Sequence, residues 1–230
     1  MQLYIANKNY SSWSLRPWVL MRTLGISFEE TLKPFPMGGG ATGFESFSPT
    51  ARVPVLLDQG LTVWDTLAIT EYLAEKHPQV WPTDSSARAR AWARSATAEM
   101  HSGFAALRTG CPMSCGVRME LNAPLSEGLL NDLQRLQALW EEGLQGFGGP
   151  FLAGRAFSAV DAFFCPVSFR VQTYGLALST ACMAYVQTLL NLPAMQDWYA
   201  AAMQEPWLEP WHDEMVLAKG RLLQDYRVHA

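Results

Sequence analysis

Asn9-Tyr-Ser-Ser-Trp-Ser-Leu-Arg-Pro17 is the stretch on which the fold of this chain turns. Before it, Gln2 to Ala6 alternates apolar and polar residues and predicts a strand. After it, the apolar-periodic run Leu15 to Leu24, closed by Gly25, predicts a helix. A hydroxyl cluster therefore stands at a strand-to-helix junction, where free backbone N–H groups and the positive end of the helix macrodipole favour an anion. A hydroxyl in that field can donate to a thiolate or an alkoxide. Serine also caps helices for structural reasons alone, and Ser14 is read as the cap here. The junction by itself does not assign chemistry.

Working outward, Ser27 to Lys33 predicts a second strand. Strand, helix and strand make a βαβ unit with parallel strands and a right-handed crossover. Pro34 to Ala51 is rich in Gly, Ser and Phe and lacks periodicity, which predicts a mobile loop with one short helix. Met37-Gly-Gly-Gly40 within it has no following Gly-Lys-Ser/Thr, so it is not read as a phosphate loop. Val53 to Leu57 and Leu61 to Trp64, joined through Asp58-Gln-Gly60, predict a hairpin. Pro54 stands at its start, where a ladder donor can be spared or a cis bond accommodated. Asp65-Thr66 then opens a helix to about His77, stopped by Pro78. This second polar strand-to-helix junction suits a ligand carboxylate or ammonium group.

The remainder divides the chain. Residues 1–78 form an α/β unit, 79–86 a Pro- and Ser-containing linker, and 87–230 a helical unit. Trp92, Ala96, Met100, Gly103 and Leu107 recur at three- and four-residue steps, as do Leu129, Leu133, Leu136, Trp140, Leu144 and Phe147. Ser158-Ala-Val-Asp161 is a capping box with Asp in place of Glu. A formal net charge of −4 gives no electrostatic case for nucleic acid. No apolar run approaches the roughly 18 residues that span a bilayer. The start has no signal-peptide core, so a cytoplasmic location is expected. Cys111, Cys115, Cys165 and Cys182 are too scattered for a disulfide framework, and neither they nor His77, His101, His212 and His229 show metal-ligand spacing. No metal is expected.

The order βαβ, mobile segment, ββα and then helices resembles the cytosolic glutathione S-transferase family across nearly the whole chain. Ser11-Ser12-Trp13-Ser14-Leu15-Arg16 is similar to the Ser-Ser-Cys-Ser-x-Arg stretch of zeta-type members, with a serine also placed as in tau-type members. Arg52-Val53-Pro54 is similar to the family's Val/Ile-cis-Pro signature, Asp65-Thr66 to its Glu-Ser pair, and Phe151 to Asp161 to its helical-domain capping box. The resemblance implies a thioredoxin-like N-terminal domain (βαβ-α-ββα) followed by an all-helical C-terminal domain. It implies glutathione as co-substrate, with Ser11 donating to its sulfur and Ser12 and Tyr10 as competing donors. Val53, beside Pro54, would pair with the cysteinyl backbone, Asp65 and Thr66 would hold the γ-glutamyl end, and Arg52 would approach the glycyl carboxylate. Trp13, Phe35, Met100, His101 and Phe104 are candidate walls for an apolar electrophile. A homodimer is implied as well. Trp13 leaves no thiol where zeta-type members have one, which argues against disulfide exchange. A glutathione-dependent isomerase of the maleylacetoacetate type, a dehalogenase and a non-catalytic binding protein are the competing readings.

Overall fold

The computed structural model describes residues 1–36, 43–83 and 86–228. The Met37–Gly40 reading, part of the 79–86 linker and His229 lie outside the described residues.

The first strand, β1 (Gln2–Ile5), runs parallel to β2 (Glu29–Leu32) through helix α1 (Ser12–Thr23). β3 (Val55–Asp58) pairs antiparallel with β1 and with β4 (Leu61–Trp64), giving the sheet order β2-β1-β3-β4. The hairpin turn has positive φ at both Gln59 (51°) and Gly60 (83°), the backbone a two-residue hairpin needs to match strand twist. Helix α2 (Thr66–Lys76) follows β4 directly. Between β2 and β3 the described part of the expected short helix is a 3-10 turn, Phe44–Ser46.

The second half holds α3 (Ala87–Ser102), α4 (Ala105–Gly110), α5 (Glu127–Phe147), α6 (Ala159–Tyr174), α7 (Thr180–Leu190), α8 (Pro193–Met203) and α9 (Pro210–Leu217). Ser86, Ser126 and Ser179 cap α3, α5 and α7 by accepting from Ala89 N, Leu129 N and Cys182 N. The α5 stripe expected from its spacing is inward, with Leu129, Leu133, Leu136 and Trp140 all buried. This helical half also carries a two-stranded antiparallel ribbon, β5 (Val117–Leu121) with β6 (Gly220–Asp225).

Both halves contribute to one hydrophobic cluster, with α1 packed on α6 and α8. α6 is the axis of the helical half and is buried along nearly its whole length. At its start, the Asp161 carboxylate accepts from Leu152 N (2.9 Å), Ser158 N (3.0 Å) and Tyr185 Oη (2.9 Å). Burial pushes the Asp161 carboxyl up to about 6, against those three hydrogen bonds. The four cysteines are all free and buried. Burial pushes the Cys111 thiol up to about 11 and that of Cys115 higher still, which makes them packing groups rather than nucleophiles.

Candidate functional site

The turn from β1 into α1 is held from both ends of the sequence. Tyr10 N and Ser11 N both donate to Asn7 O, at 3.2 and 2.8 Å. From the helical half, the Glu205 carboxylate accepts from Lys8 N (2.5 Å) and Asn9 N (3.2 Å), and Trp198 Nε1 donates to Lys8 O (2.8 Å). Burial pushes the Glu205 carboxyl up to about 7. The serine cluster therefore rests on backbone fixed by residues nearly two hundred positions away.

Ser11, and not Ser14, is the N-cap of α1. Its Oγ accepts from Ser14 N at 3.4 Å and donates to Ser14 Oγ at 2.8 Å, and Ser14 Oγ in turn accepts from Ala6 N at 3.2 Å. The helix begins one turn earlier than its apolar periodicity indicates, because Ser12 and Ser14 face buried space while adding nothing to an apolar pattern. Ser12 opens the helix and lines a cavity of about 650 Å³ together with Ser11. Tyr10 also reaches that cavity, but its hydroxyl is spent elsewhere: it donates to Asp213 Oδ1 (3.1 Å) and accepts from Arg227 Nη1 (2.9 Å) and Glu209 N (3.3 Å). Burial raises its pKa.

The second junction borders a smaller cavity of about 450 Å³. Arg52, Val53, Pro54, Asp65 and Thr66 all line it, and the Val53–Pro54 peptide is cis. Asp65 caps α2 by accepting from Leu67 N at 2.8 Å. It does so with φ at 72° and ψ at 137°, a backbone region that costs a non-glycine residue about 1–3 kcal/mol. Thr66 is buried, and its Oγ1 has no hydrogen-bond partner among the described residues. His101 lines the same cavity, 3.5 Å from Asp65 Oδ2 and edge-on to Trp13. Burial lowers its pKa, partly offset by Asp65.

Trp13 borders both cavities, and Phe35 borders the larger one. Two expected walls are corrected. Met100 lies on the inward stripe of α3 with Ala93 and Ala96 and is wholly buried in the core. Phe104, beyond the end of α3, turns in with φ at 53° and is also buried. His101 is rotated about 100° from Met100 on the same helix, which is why one residue reaches the site and its neighbour does not.

Three arginines around the larger cavity had no role in the sequence reading. Arg16 is fully buried, and its guanidinium lies 4.0 Å from the Trp13 ring centroid and 5.1 Å from that of Phe163. None of its three nitrogens has a hydrogen-bond partner among the described residues. Burial pulls its pKa well down, and Arg170 and Arg108 add to the effect. Arg108 and Arg170 line the cavity itself, as do Trp211 and His212. Arg170 was visible as the lone charge in the apolar run Ala162 to Val171, a pattern that marks a buried cation.

Residues 10–76 match the family model described as glutathione S-transferase, N-terminal domain. No curated protein matches the chain. Among solved structures, a glutathione transferase homologue from Burkholderia gl BGR1, with bound glutathione, is 22% identical with a TM-score of 0.66, covering 87% of this chain and 97% of that one. A glutathione transferase from Methylococcus capsulatus str. Bath is 23% identical with a TM-score of 0.62, covering 87% and 98%. A glutathione S-transferase-I bound with lactoylglutathione is 18% identical with a TM-score of 0.66, again covering 87% and 98%. Residues 10–76 thus match a glutathione S-transferase N-terminal domain, and most of the chain shares the fold of those solved structures.

Proposed function

We propose that the protein is a glutathione transferase that activates the glutathione thiolate for addition to an electrophilic, fairly apolar small molecule. The observation that carries this reading is the pairing of two helix N-termini around cavities that share the Trp13 wall. One presents Ser11 and Ser12; the other presents Asp65 at positive φ and the unpartnered, buried Thr66 Oγ1. Backbone strain and an orphaned hydroxyl at one cavity are costs that a bound ligand can offset.

In this reading the γ-glutamyl ammonium sits on Asp65 and its carboxylate on Thr66 at the start of α2. Val53 pairs with the cysteinyl backbone, and Arg52 meets the glycyl carboxylate. The sulfur lies at the start of α1, where Ser11 donates to the thiolate. Ser14 supports that role: with Ala6 N–H donating to Ser14 Oγ, the Ser14 hydroxyl can turn to donate to Ser11 Oγ, freeing the Ser11 proton for the sulfur. Such chains of hydroxyls strengthen one another in a low-dielectric site. The guanidinium of Arg16 adds positive potential behind Trp13, and the thiol proton leaves to solvent.

The test is calorimetric titration with glutathione. Wild type is expected to bind below millimolar concentration, and Asp65→Ala to bind at least tenfold more weakly; no wild-type binding at millimolar glutathione overturns the reading. Asp65→Gly gives a second, opposite signature. Glycine adopts φ of 72° without penalty and costs an N-cap only a few tenths of a kcal/mol. The variant is expected to unfold about 1 kcal/mol harder than wild type in urea while losing glutathione affinity. Lower stability would show that the Asp65 backbone is not strained. The reading carries with it a two-fold dimer, which sedimentation velocity tests.

A further inference from the structure

α4 and α6 bring Arg108 and Arg170 to the wall of the larger cavity, and that wall contains no Asp or Glu among the described residues. We propose that this pair seats an anionic group of the second substrate, so that the electrophile is an apolar or aromatic carboxylic acid. The inference rests on the glutathione-transferase reading above and names the substrate class of that site.

These arginines lack counter-charges among the described residues. Neither Arg108, Arg170 nor Arg16 behind them takes part in a salt bridge among the described residues. Arg170 is 3% exposed, and its Nε donates to Cys111 O at 2.8 Å while its Nη1 is buried without a partner. Arg108 donates through Nη1 to His101 O at 3.2 Å and lies 5.4 Å from the Trp13 ring centroid. The one carboxylate acting on Arg108 is Asp132, which already accepts from Leu107 N at 2.8 Å. Burial, together with Arg108, draws the Arg170 pKa down to about 10, and burial lowers that of Arg108; arginine side chains nonetheless keep their charge in proteins.

Buried charge without a counter-charge is costly, and proteins ordinarily pair it. Here three guanidinia crowd one region, and the nearest open space is the cavity. A carboxylate entering it would supply the missing partner, and the planar guanidinium fork fits a carboxylate better than any other side-chain cation does. The rest of the lining fits the remainder of such a molecule: Phe35, Pro112, Met113 and Trp211 give apolar and aromatic surface. Glutathione's own carboxylates are placed at Thr66 and Arg52, which leaves the Arg108–Arg170 pair for the other reactant.

A matched pair of probes tests this: 4-chloro-3,5-dinitrobenzoate and its methyl ester. In each, the glutathione sulfur forms a bond to the ring carbon bearing chlorine, the C–Cl bond breaks, and chloride leaves with the bonding pair; the thiol proton goes to buffer and nothing is oxidised or reduced. With each rate divided by the uncatalysed rate for the same compound, wild type is expected to favour the acid over the ester at least tenfold in kcat/KM, mostly through KM. Arg108→Met and Arg170→Met are expected to shrink that ratio to within about twofold. Should Arg170→Met fail to fold for want of a donor to Cys111 O, Arg108→Met and Arg170→Lys carry the test, the lysine variant retaining part of the preference. Should neither compound react, calorimetry with 3,5-dinitrobenzoate against 3,5-dinitrobenzamide, at saturating S-methylglutathione, reads the same preference as binding. Equal treatment of acid and neutral analogue in both measurements overturns the proposal. So does a tenfold loss of glutathione affinity in the arginine variants with the acid preference intact, which would give the pair to glutathione. Glutathione binding by wild type is measured separately, so failure of the underlying reading is distinguished from failure of this one.

Discussion

Ser11→Ala is expected to lower kcat/KM for glutathione conjugation about 100-fold, the scale of losing one preorganised donor to a developing or full anion. The Ser11 hydroxyl stands at the first turn of α1, accepts from Ser14 N and is linked through Ser14 Oγ to the end of β1. Removing it leaves the thiolate with the helix end and the distant Arg16 field. The sulfur pKa then returns toward the free-thiol value of about 8.5, so the deficit should narrow as pH rises from 7 to 9.5. That pH profile separates a lost thiolate donor from a disturbed fold. The variant also loses an N-cap, costing about 1 kcal/mol, which a urea melt reads independently. Ser11→Thr keeps the hydroxyl and the cap and is expected to recover most of the rate. Ser12 carries a hydroxyl without a hydrogen-bond partner among the described residues, so Ser12→Ala is the necessary comparison. If Ser12→Ala takes the larger loss and Ser11→Ala is spared, the donor is Ser12.

The largest stability effect is expected at Asp161. Asp161→Ala removes the acceptor for Leu152 N, Ser158 N and Tyr185 Oη at once, all in buried surroundings. Stranding buried donors costs about 1–3 kcal/mol each, and partial relaxation leaves an expected loss of about 4 kcal/mol. For a chain of this length that lowers Tm by about 10 °C. The same carboxyl gives the protein a pH signature. Its folded pKa is raised to about 6, above an unfolded value of about 3.9. Between those values the folded state holds the extra proton, so unfolding free energy falls as pH rises from about 4 to 6, by about 2–3 kcal/mol, and then levels. Glu205, raised to about 7, adds a decline of the same sign up to that pH. Asp161→Asn keeps the shape but can satisfy only part of the donor set. It is expected to be less stable than wild type, more stable than Asp161→Ala, and flatter between pH 4 and 6, with the Glu205 slope remaining. Urea unfolding at half-unit pH steps measures all three, and an undiminished slope in Asp161→Asn would show that another group carries it.

The sequence made some of this visible and hid the rest for identifiable reasons. The βαβ unit, the hairpin and α2 were legible because each is local, with its period, turn residues and stop signal inside a few tens of residues. Val53–Pro54, Asp65-Thr66 and the Asp161 capping box were legible for the same reason. The cap of α1 was misplaced because Ser11, Ser12 and Ser14 have equal claims by residue type, and only backbone angles distinguish them. β5 and β6 were missed because their pairing joins residues about a hundred apart: Val117–Leu121 alternates apolar and polar side chains over only five residues, and Gly220–Asp225 does not alternate. Met100 and His101 were grouped as walls because adjacent residues look alike in sequence, whereas a helix turns them to different faces. The meeting of Arg108 and Arg170 at one cavity wall is a property of two helices coming together, and no spacing along the chain encodes that.

The clamp on the β1–α1 turn has a consequence for how the protein is made. Lys8 and Asn9 are held by Glu205, Lys8 by Trp198, and Tyr10 by Asp213 and Arg227. A ribosome delivers the serine turn first and its restraints last. The N-terminal strands and α1 can begin to pair early, but the turn that carries the serines acquires its final geometry only after residue 227 has cleared the exit tunnel. Contacts this distant in sequence form slowly, and partly folded chains that wait for them expose apolar surface. The newly made protein thus spends an interval with its serine turn formed in outline but unlocked, until Trp198 and Glu205 seat Lys8 and Asn9 and then Asp213 and Arg227 seat Tyr10.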